Sequence, residues 1–143
     1  TMSVDPRTLG WLSRALTHEM SAVQQYLAQS VLARMWGDEA LSSKLRSEAV
    51  EELGHAERLM ERLIVCGVAP SAGNLPPSRL GRSADDLLAA DRELEVDAVR
   101  LYQEAIAHAQ RMRDSDGAAL LAEILAEEME HVQEIDSLRN ANG

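Results

Sequence analysis

Two parts of the chain each place a Glu-x-x-His motif 33 residues after a single glutamate. The two sets are 76 residues apart and consist of Glu19, Glu52 and His55, and of Glu95, Glu128 and His131. A Glu and a His three positions apart lie on one face of an α-helix. A glutamate on each of two helices, with Glu-x-x-His on each of two others, is a ligand pattern for two metal ions inside a four-helix bundle. A single such motif is more often an exposed charge pair, but the repeated set favours a metal site.

The composition is typical of a helical protein with an aliphatic core. Of the 143 residues, 45% are hydrophobic; there is no Phe, and there are only two Trp and two Tyr. The apolar residues are mostly Leu and Ala, which favour helix. The length predicts one domain over residues 1–143. No apolar run is long enough to span a bilayer, and the first residues do not have the pattern of a signal peptide, so we expect neither a membrane span nor a secretory signal.

Charge and cysteine content narrow the expected partners and location. The net charge of −10 disfavours nucleic acids and anionic membranes and attracts cations. Cys66 is the only cysteine, which excludes an internal disulfide and a Cys-based metal site and is typical of the reducing cytosol. We therefore expect a cytoplasmic protein that binds metal ions, with no nucleic-acid or membrane partner.

Hydrophobic periodicity and helix-breaking residues predict four helices, over about residues 5–35, 39–66, 84–112 and 116–138. Asp5-Pro6 is typical of a helix start, and Gly67 of a helix end. Short turns are predicted at residues 36–38 and 114–117.

The segment between the second and third helices is long, rich in Pro and Gly, and not periodic over residues 67–82. A crossover that runs the length of a bundle accounts for it and makes the second and third helices parallel. The predicted fold is therefore all-α, an antiparallel four-helix bundle with a long crossover. Further matches at the 76-residue offset, such as Tyr26 with Tyr102 and Glu51 with Glu127, predict two hairpins related by a pseudo-two-fold axis.

Four buried carboxylates would repel one another unless two divalent cations neutralised them. We expect Glu52 and Glu128 to bridge the two metals. Glu19 and His55 would complete one metal's ligands, and Glu95 and His131 those of the other. Oxygen ligands with one imidazole per metal suit iron or manganese, with zinc as an alternative. The remaining positions are open for dioxygen, peroxide or water.

Two further residues lie close to the ligand stripes. Tyr26, two turns after Glu19, is a candidate to donate a hydrogen bond or an electron near the metals; simple core packing is the alternative. Asp91, one turn before Glu95, either orients a ligand histidine or is a solvated side chain. His18 and His108 fall off these stripes and are expected on the surface.

The chain resembles the ferritin-like superfamily, and the bacterioferritins in particular. The residues that carry the resemblance are Glu19, Gln25-Tyr26, Trp36-Gly37, the run from Glu51 to Leu59, Glu61-Arg62-Leu63, Gly67 to Pro70, Asp91, Leu94-Glu95, Ala105-Ile106, the run from Ile124 to Glu128, and His131. The resemblance implies a ferritin-like bundle whose six predicted ligands form a two-iron ferroxidase centre, with ferric mineral stored in a shell of 24 subunits.

The chain departs from the bacterioferritin pattern in three places. Leu53 stands where that family has a haem-ligating methionine, so we expect no haem. Ser47 stands near the position of an inner-surface iron-binding histidine, so that route is not expected. We expect no counterpart of the family's short fifth helix. We also expect a homodimer at least, with a closed shell as the larger form.

The expected activity is oxidation of Fe(II) by dioxygen or peroxide, for iron storage and detoxification. The alternative is a discrete two-metal oxidase or peroxidase of the rubrerythrin type that stores no mineral. Rubrerythrins usually carry an extra glutamate where this chain has Ala98, and no rubredoxin-type Cys pairs follow. A DNA-protecting mini-ferritin is less expected, because its iron site lies between subunits.

Overall fold

The computed structural model describes residues 4–142, and these form four α-helices. Their bounds are Pro6–Met35 (α1), Glu39–Val65 (α2), Ala84–Arg111 (α3) and Ser115–Asn142 (α4). All four predicted helices are confirmed, and the described residues contain no strand. The last helix was predicted to end near residue 138, but α4 continues to Asn142. Asn and Ala interrupt a helix far less than Gly or Pro would.

Capping contacts explain where α1 and α2 begin. The Asp5 carboxylate accepts a backbone N–H of the first turn of α1 at 2.8 Å, and Pro6 takes the first helical position, where no N–H is needed. The Asp38 carboxylate caps α2 in the same way at 3.0 Å. Gly37, in the turn between them, has φ +82°, a left-handed conformation that favours glycine.

The turn between α3 and α4 lies at residues 112–114, so the predicted position at 114–117 was wrong. The reason is Asp114, which caps α4 by accepting the Gly117 backbone N–H at 3.0 Å and so draws residues 115–117 into the helix. Arg113 has φ +56° and takes the left-handed position that Gly37 occupies in the first turn. The two hairpins therefore share a turn geometry as well as a ligand pattern.

Contacts between helices establish the direction of each one. Helix α1 packs on α2 and α3, and α3 packs on α4. Thr8 contacts His108, and Gln25 contacts Asp91, so α1 and α3 run antiparallel. Because a three-residue turn also makes α1 antiparallel to α2, helices α2 and α3 are parallel, as predicted.

The crossover over residues 66–83 runs along α1. Its Gly73 N–H donates to Thr17 Oγ1 at 2.9 Å, and further along, the Arg79 carbonyl accepts from Gln29 Nε2 at 2.9 Å. The long crossover of the predicted fold is confirmed, and it covers one flank of α1.

Two apolar clusters fill the bundle, one on each side of a central polar layer. One cluster contains Leu12, Leu16, Leu59, Leu63, Tyr102 and Ile124, and the other contains Ala22, Tyr26, Ala33, Leu45, Ala49 and Leu87. Each fully buried Leu contributes about 1.5–3 kcal/mol, so these clusters offset the cost of a charged layer between them. Within the described residues, no helix combines the length and apolarity required to cross a membrane.

Candidate metal centre

The six glutamates and histidines predicted from the spacing meet in the middle of the bundle. Their side chains are buried, and none is more than 4% exposed. They form two overlapping groups in which the potential ligand atoms lie within 4.8 Å of one another. The first group is Glu19, Glu52, His55 and Glu128, and the second is Glu52, Glu95, Glu128 and His131. Glu52 and Glu128 belong to both groups, as expected of carboxylates that bridge two ions.

Helical periodicity brings each motif to the interior. Glu52 and His55 lie on the same inward face of α2 as Ala49, Ala56 and Leu59, all of which are buried. The motif of α4 lies on a matching face. The polar ligands are therefore held on rigid, well-packed helices rather than on loops.

Both histidines turn Nδ1 toward the centre. His55 Nδ1 lies 2.8 Å from Glu128 Oε1, and His131 Nδ1 lies 3.0 Å from Glu52 Oε1, so each ring faces the glutamate of the opposite motif. The two rings are nearly stacked, with centroids 6.2 Å apart and an interplanar angle of 24°. The centre thus has the two-fold symmetry that the repeat predicts.

Crowding of buried charge shifts the pKa values of the metal-free centre. Burial, with the charge of Glu19 next, raises the pKa of Glu52 to about 8. Burial also raises the pKa of Glu128 well above its usual range. Burial would lower the His55 pKa, but the carboxylates of Glu19 and Glu52 beside the ring outweigh it and raise that pKa to about 10. The same competition raises the pKa of His131 to about 12. Protons therefore bind to the centre when cations do not.

Unpartnered ligand atoms show that this centre fits two cations. Eight buried side-chain atoms of the two groups lie close to one another but form no hydrogen bond of favourable geometry among the described residues: Glu19 Oε2, both oxygens of Glu52, His55 Nδ1, Glu95 Oε2, both oxygens of Glu128, and His131 Nδ1. Unpaired buried polar atoms are costly unless a ligand satisfies them. Two divalent cations would balance four carboxylates, and an oxygen-rich set with one imidazole per group suits iron or manganese.

A buried tyrosine donates a hydrogen bond to each of the two unshared glutamates. The Tyr26 hydroxyl donates to Glu95 Oε1 at 2.8 Å, and the Tyr102 hydroxyl donates to Glu19 Oε1 at 2.6 Å. Burial raises the pKa of both phenols, which keeps them protonated as donors. Tyr26 was predicted to lie near the ligands, and it does, but Tyr102 was missed. The internal repeat could have identified it, because Tyr102 lies 76 residues after Tyr26 and so occupies the equivalent position in the second half of the chain.

Two half-exposed glutamates hold the outer nitrogens of the histidines. His55 Nε2 lies 2.6 Å from Glu127 Oε2, and His131 Nε2 lies 2.5 Å from Glu51 Oε2. A carboxylate at Nε2 orients the ring and leaves Nδ1 free for a metal. Glu51 and Glu127 match one another in the repeat, but neither was predicted to have a role.

Both sequence interpretations of Asp91 were wrong. The residue is 0% exposed, so it is not solvated, and its hydrogen bond goes to Gln25 Nε2 at 2.9 Å rather than to a ligand histidine. Its position on α3 turns it toward α1, where Gln25 also accepts the Arg79 backbone N–H of the crossover at 3.3 Å.

The surface location predicted for His108 was also wrong. His108 is 5% exposed, and its Nε2 lies 2.8 Å from Thr8 Oγ1, since α1 packs over this end of α3. His18 is partly buried rather than fully exposed. Neither histidine belongs to the two ligand groups.

A pocket of about 300 Å³ lies between α2 and α4, over the histidines. Its lining includes Glu51, His55, Arg58, Glu127, Glu130 and His131. The histidines and their outer glutamates thus separate the buried ligand layer from solvent on this face.

Comparison with known proteins identifies related chains. Residues 10–141, which include all six candidate ligands, match the family model described as a ferritin-like domain. A bacterioferritin of Brucella melitensis is 32% identical over 136 residues, which cover 95% of this chain and 84% of that protein. Bacterioferritin BfrA of Mycobacterium tuberculosis is 29% identical over 136 residues, which cover 95% of this chain and 86% of that protein.

Proposed function

Since the chain belongs to the ferritin-like family and to the bacterioferritins within it, we propose that it is a ferroxidase. The proposed reaction is oxidation of Fe(II) to Fe(III) at a two-iron centre within one subunit, with dioxygen or peroxide as the oxidant. The observation that carries the proposal is the pair of overlapping ligand groups that share Glu52 and Glu128.

Each residue has a defined part in this proposal. Glu52 and Glu128 would be shared by the two iron ions, Glu19 and His55 would complete one ligand set, and Glu95 and His131 would complete the other. Bound iron supplies the electrons that the oxidant accepts. Manganese is the alternative metal for the same ligands.

The surrounding residues hold the ligands in place. Tyr26 and Tyr102 donate to the unshared glutamates and fix one oxygen of each, so that the other oxygen faces the centre. Glu51 and Glu127 fix the orientation of the histidine rings. Such contacts raise metal affinity and keep the geometry constant during turnover.

Iron binding and oxidation test the proposal directly. We expect about two Fe(II) per subunit and, by stopped-flow absorbance under air, oxidation much faster than that of free iron in buffer. The Glu52→Ala, Glu128→Ala double variant removes both bridges and is the matched negative control. Wild-type oxidation no faster than that of this variant would refute the ferroxidase proposal.

We also propose that the protein carries no haem on the outer face of α2. Leu53 is 42% exposed and has no sulfur or nitrogen to ligate iron. The purified protein should show no Soret absorption band. A haem content near one per two subunits would overturn this, and the axial ligand would then have to be another residue.

The assembly state of the protein distinguishes an iron-storage role from that of a discrete oxidase. We propose a homodimer as the basic unit and a closed shell as the storage form. Light scattering after iron loading should show a shell that retains iron. A stable particle of twice the 15.7 kDa subunit mass that holds no mineral would favour the rubrerythrin-like alternative, a two-metal oxidase or peroxidase without storage.

A further inference from the structure

The pocket between α2 and α4 is lined by residues that the internal repeat relates in pairs. Each lining residue on α2 has its counterpart 76 positions later on α4. Two of these pairs are identical, and two differ in charge. The identical pairs are Glu51 with Glu127 and His55 with His131, and the differing pairs are Arg58 with Glu134 and Gly54 with Glu130. The pocket therefore combines symmetric histidines with an asymmetric distribution of charge.

Arg58 and Glu134 lie at opposite ends of this pocket. The contacts between glutamates and histidines across it show that α2 and α4 run antiparallel. Each of the two charged residues follows its histidine by three positions, which is about one helical turn. Arg58 is thus at the end near His55, and Glu134 is at the end near His131.

A guanidinium group lies close to His55. Arg58 forms salt bridges with Glu123 and Glu127, and the distance from its Nη1 to Glu127 Oε2 is 3.9 Å. The same Glu127 oxygen lies 2.6 Å from His55 Nε2. Near this histidine, one positive side chain therefore faces two carboxylates.

Carboxylates dominate the end near His131. Glu51 Oε2 lies 2.5 Å from His131 Nε2, and Glu48 Oε2 lies 3.3 Å from it. Lys44 Nζ lies 3.1 Å from both Glu48 Oε1 and Glu134 Oε2. One positive side chain here faces three carboxylates, so this end carries one negative charge more than the end near His55.

We propose that the exchange of Arg58 for Glu134 sets the order in which the centre fills, with a divalent cation binding beside His131 before a second one binds beside His55. We call these two places the His131 position and the His55 position. This order presupposes the proposed metal-binding function, and it makes two positions with the same ligand types unequal.

The ligands do not set such an order, because each position has one imidazole and one unshared glutamate, and both share Glu52 and Glu128. A nearby charge acts over a longer distance than a ligand bond, and a divalent cation feels it with twice the strength of a monovalent one. Arg58 repels a cation from the His55 position, whereas Glu134 attracts one to the His131 position. Once one cation is bound, its own charge disfavours the second, which separates the two binding steps.

Anomalous diffraction from crystals grown with about one Zn²⁺ per subunit measures the order directly. Zn²⁺ has no redox chemistry, so only binding is observed. The Zn²⁺ occupancy of the His131 position should exceed that of the His55 position by about threefold or more. Equal occupancies, or more Zn²⁺ at the His55 position, would overturn the proposal.

A charge swap tests whether these two residues are the cause. Arg58→Glu combined with Glu134→Arg exchanges the charges at the two ends and keeps the net charge, so the larger occupancy should move to the other position. Arg100→Glu combined with Glu104→Arg is the matched control on α3, where both side chains are exposed, and it should keep the wild-type order. If the swapped protein keeps the wild-type order as well, the two pocket residues do not determine it.

Chelator competition measures the first Zn²⁺ binding step in solution with milder substitutions. Glu134→Gln should weaken this step by about threefold, whereas Glu104→Gln, the exposed control on α3, should leave it unchanged. The difference should disappear in about 0.5 M NaCl, where the Debye length is about 4 Å. An unchanged first step in Glu134→Gln, or an effect that salt does not reduce, would overturn the electrostatic cause.

The failures of the two proposals can be told apart. If the two positions fill equally but the protein oxidises Fe(II), the filling order is wrong and the ferroxidase proposal stands. If Zn²⁺ fills the His131 position first but wild-type protein oxidises no Fe(II), the order stands and the ferroxidase proposal fails.

Discussion

The metal-free protein should lose stability as pH rises from about 5.5 to about 7.5, because the folded centre holds protons that the unfolded chain releases. The pKa of Glu52 is raised from 4.5 to about 8, so between these values the native state binds more protons than the unfolded state. The stability that Glu52 contributes is therefore present below its unfolded pKa and lost as pH rises through its folded pKa. His55, raised from 6.5 to about 10, has the same sign at higher pH.

The size of the effect follows from linkage. One proton taken up by the native state changes the unfolding free energy by about 1.4 kcal/mol per pH unit. Over two pH units, Glu52 alone therefore removes about 3 kcal/mol, which lowers Tm by about 8 °C in a chain of this size. Zn²⁺-loaded protein should show no such loss, because metal binding requires deprotonated ligands and strengthens with pH.

Scanning calorimetry of metal-free and Zn²⁺-loaded protein at the two pH values measures this difference. Glu52→Gln cannot titrate and should show a smaller pH dependence than wild type, by the share that Glu52 contributes, whereas Glu57→Gln, an exposed change on the same helix, should keep the wild-type slope. A metal-free Tm that stays constant or rises with pH, or the same slope in Glu52→Gln as in wild type, would refute the reasoning.

Three other substitutions probe the contacts around the centre and one turn. Tyr102→Phe keeps the ring but removes the hydrogen bond to Glu19. Iron oxidation should therefore slow by about tenfold while two irons still bind. An unchanged stopped-flow rate would show that the bond is dispensable. Glu127→Gln should weaken metal affinity by about tenfold in a chelator competition, because Glu127 holds the outer nitrogen of His55. The exposed change Glu130→Gln is the control. Equal affinities in the two variants would show that Glu127 does not orient His55. Arg113→Gly relieves a left-handed backbone and should raise stability by about 1 kcal/mol, measured as Tm; a lower Tm would mean that the arginine makes a more valuable contact.

The helices and the ligands could be predicted because their signals are local. Caps, glycines and a 3.6-residue period determine where the helices lie, and Glu-x-x-His puts two ligands on one face without reference to the rest of the chain. The crossover could be inferred because a compact domain rarely contains a long aperiodic segment unless that segment connects distant ends of its helices.

The missed contacts around the centre are all made between helices. The bonds from Tyr102 to Glu19 and from Glu127 to His55 join residues more than 70 positions apart, and only the packing of four helices determines that they meet. Asp91 was misread because its partner, Gln25, lies on another helix. The turn at residues 112–114 was placed too late in the sequence, because Asp114 caps α4. The composition of residues 114–117 does not show whether they form a turn or the first turn of a helix.

The two halves of the centre have the same ligand types, but the residues that surround those ligands differ. The repeat supplies each half of the centre with the same donors, so any difference between the two metal positions arises from the residues outside them. Near His131 those residues include Glu48, Asp91 and Glu134, whereas the corresponding positions near His55 are Ile124, Ala15 and Arg58. Negative potential attracts cations. The half around His131 is therefore the more acidic of the two, and any difference in affinity between the two metal positions should favour that half.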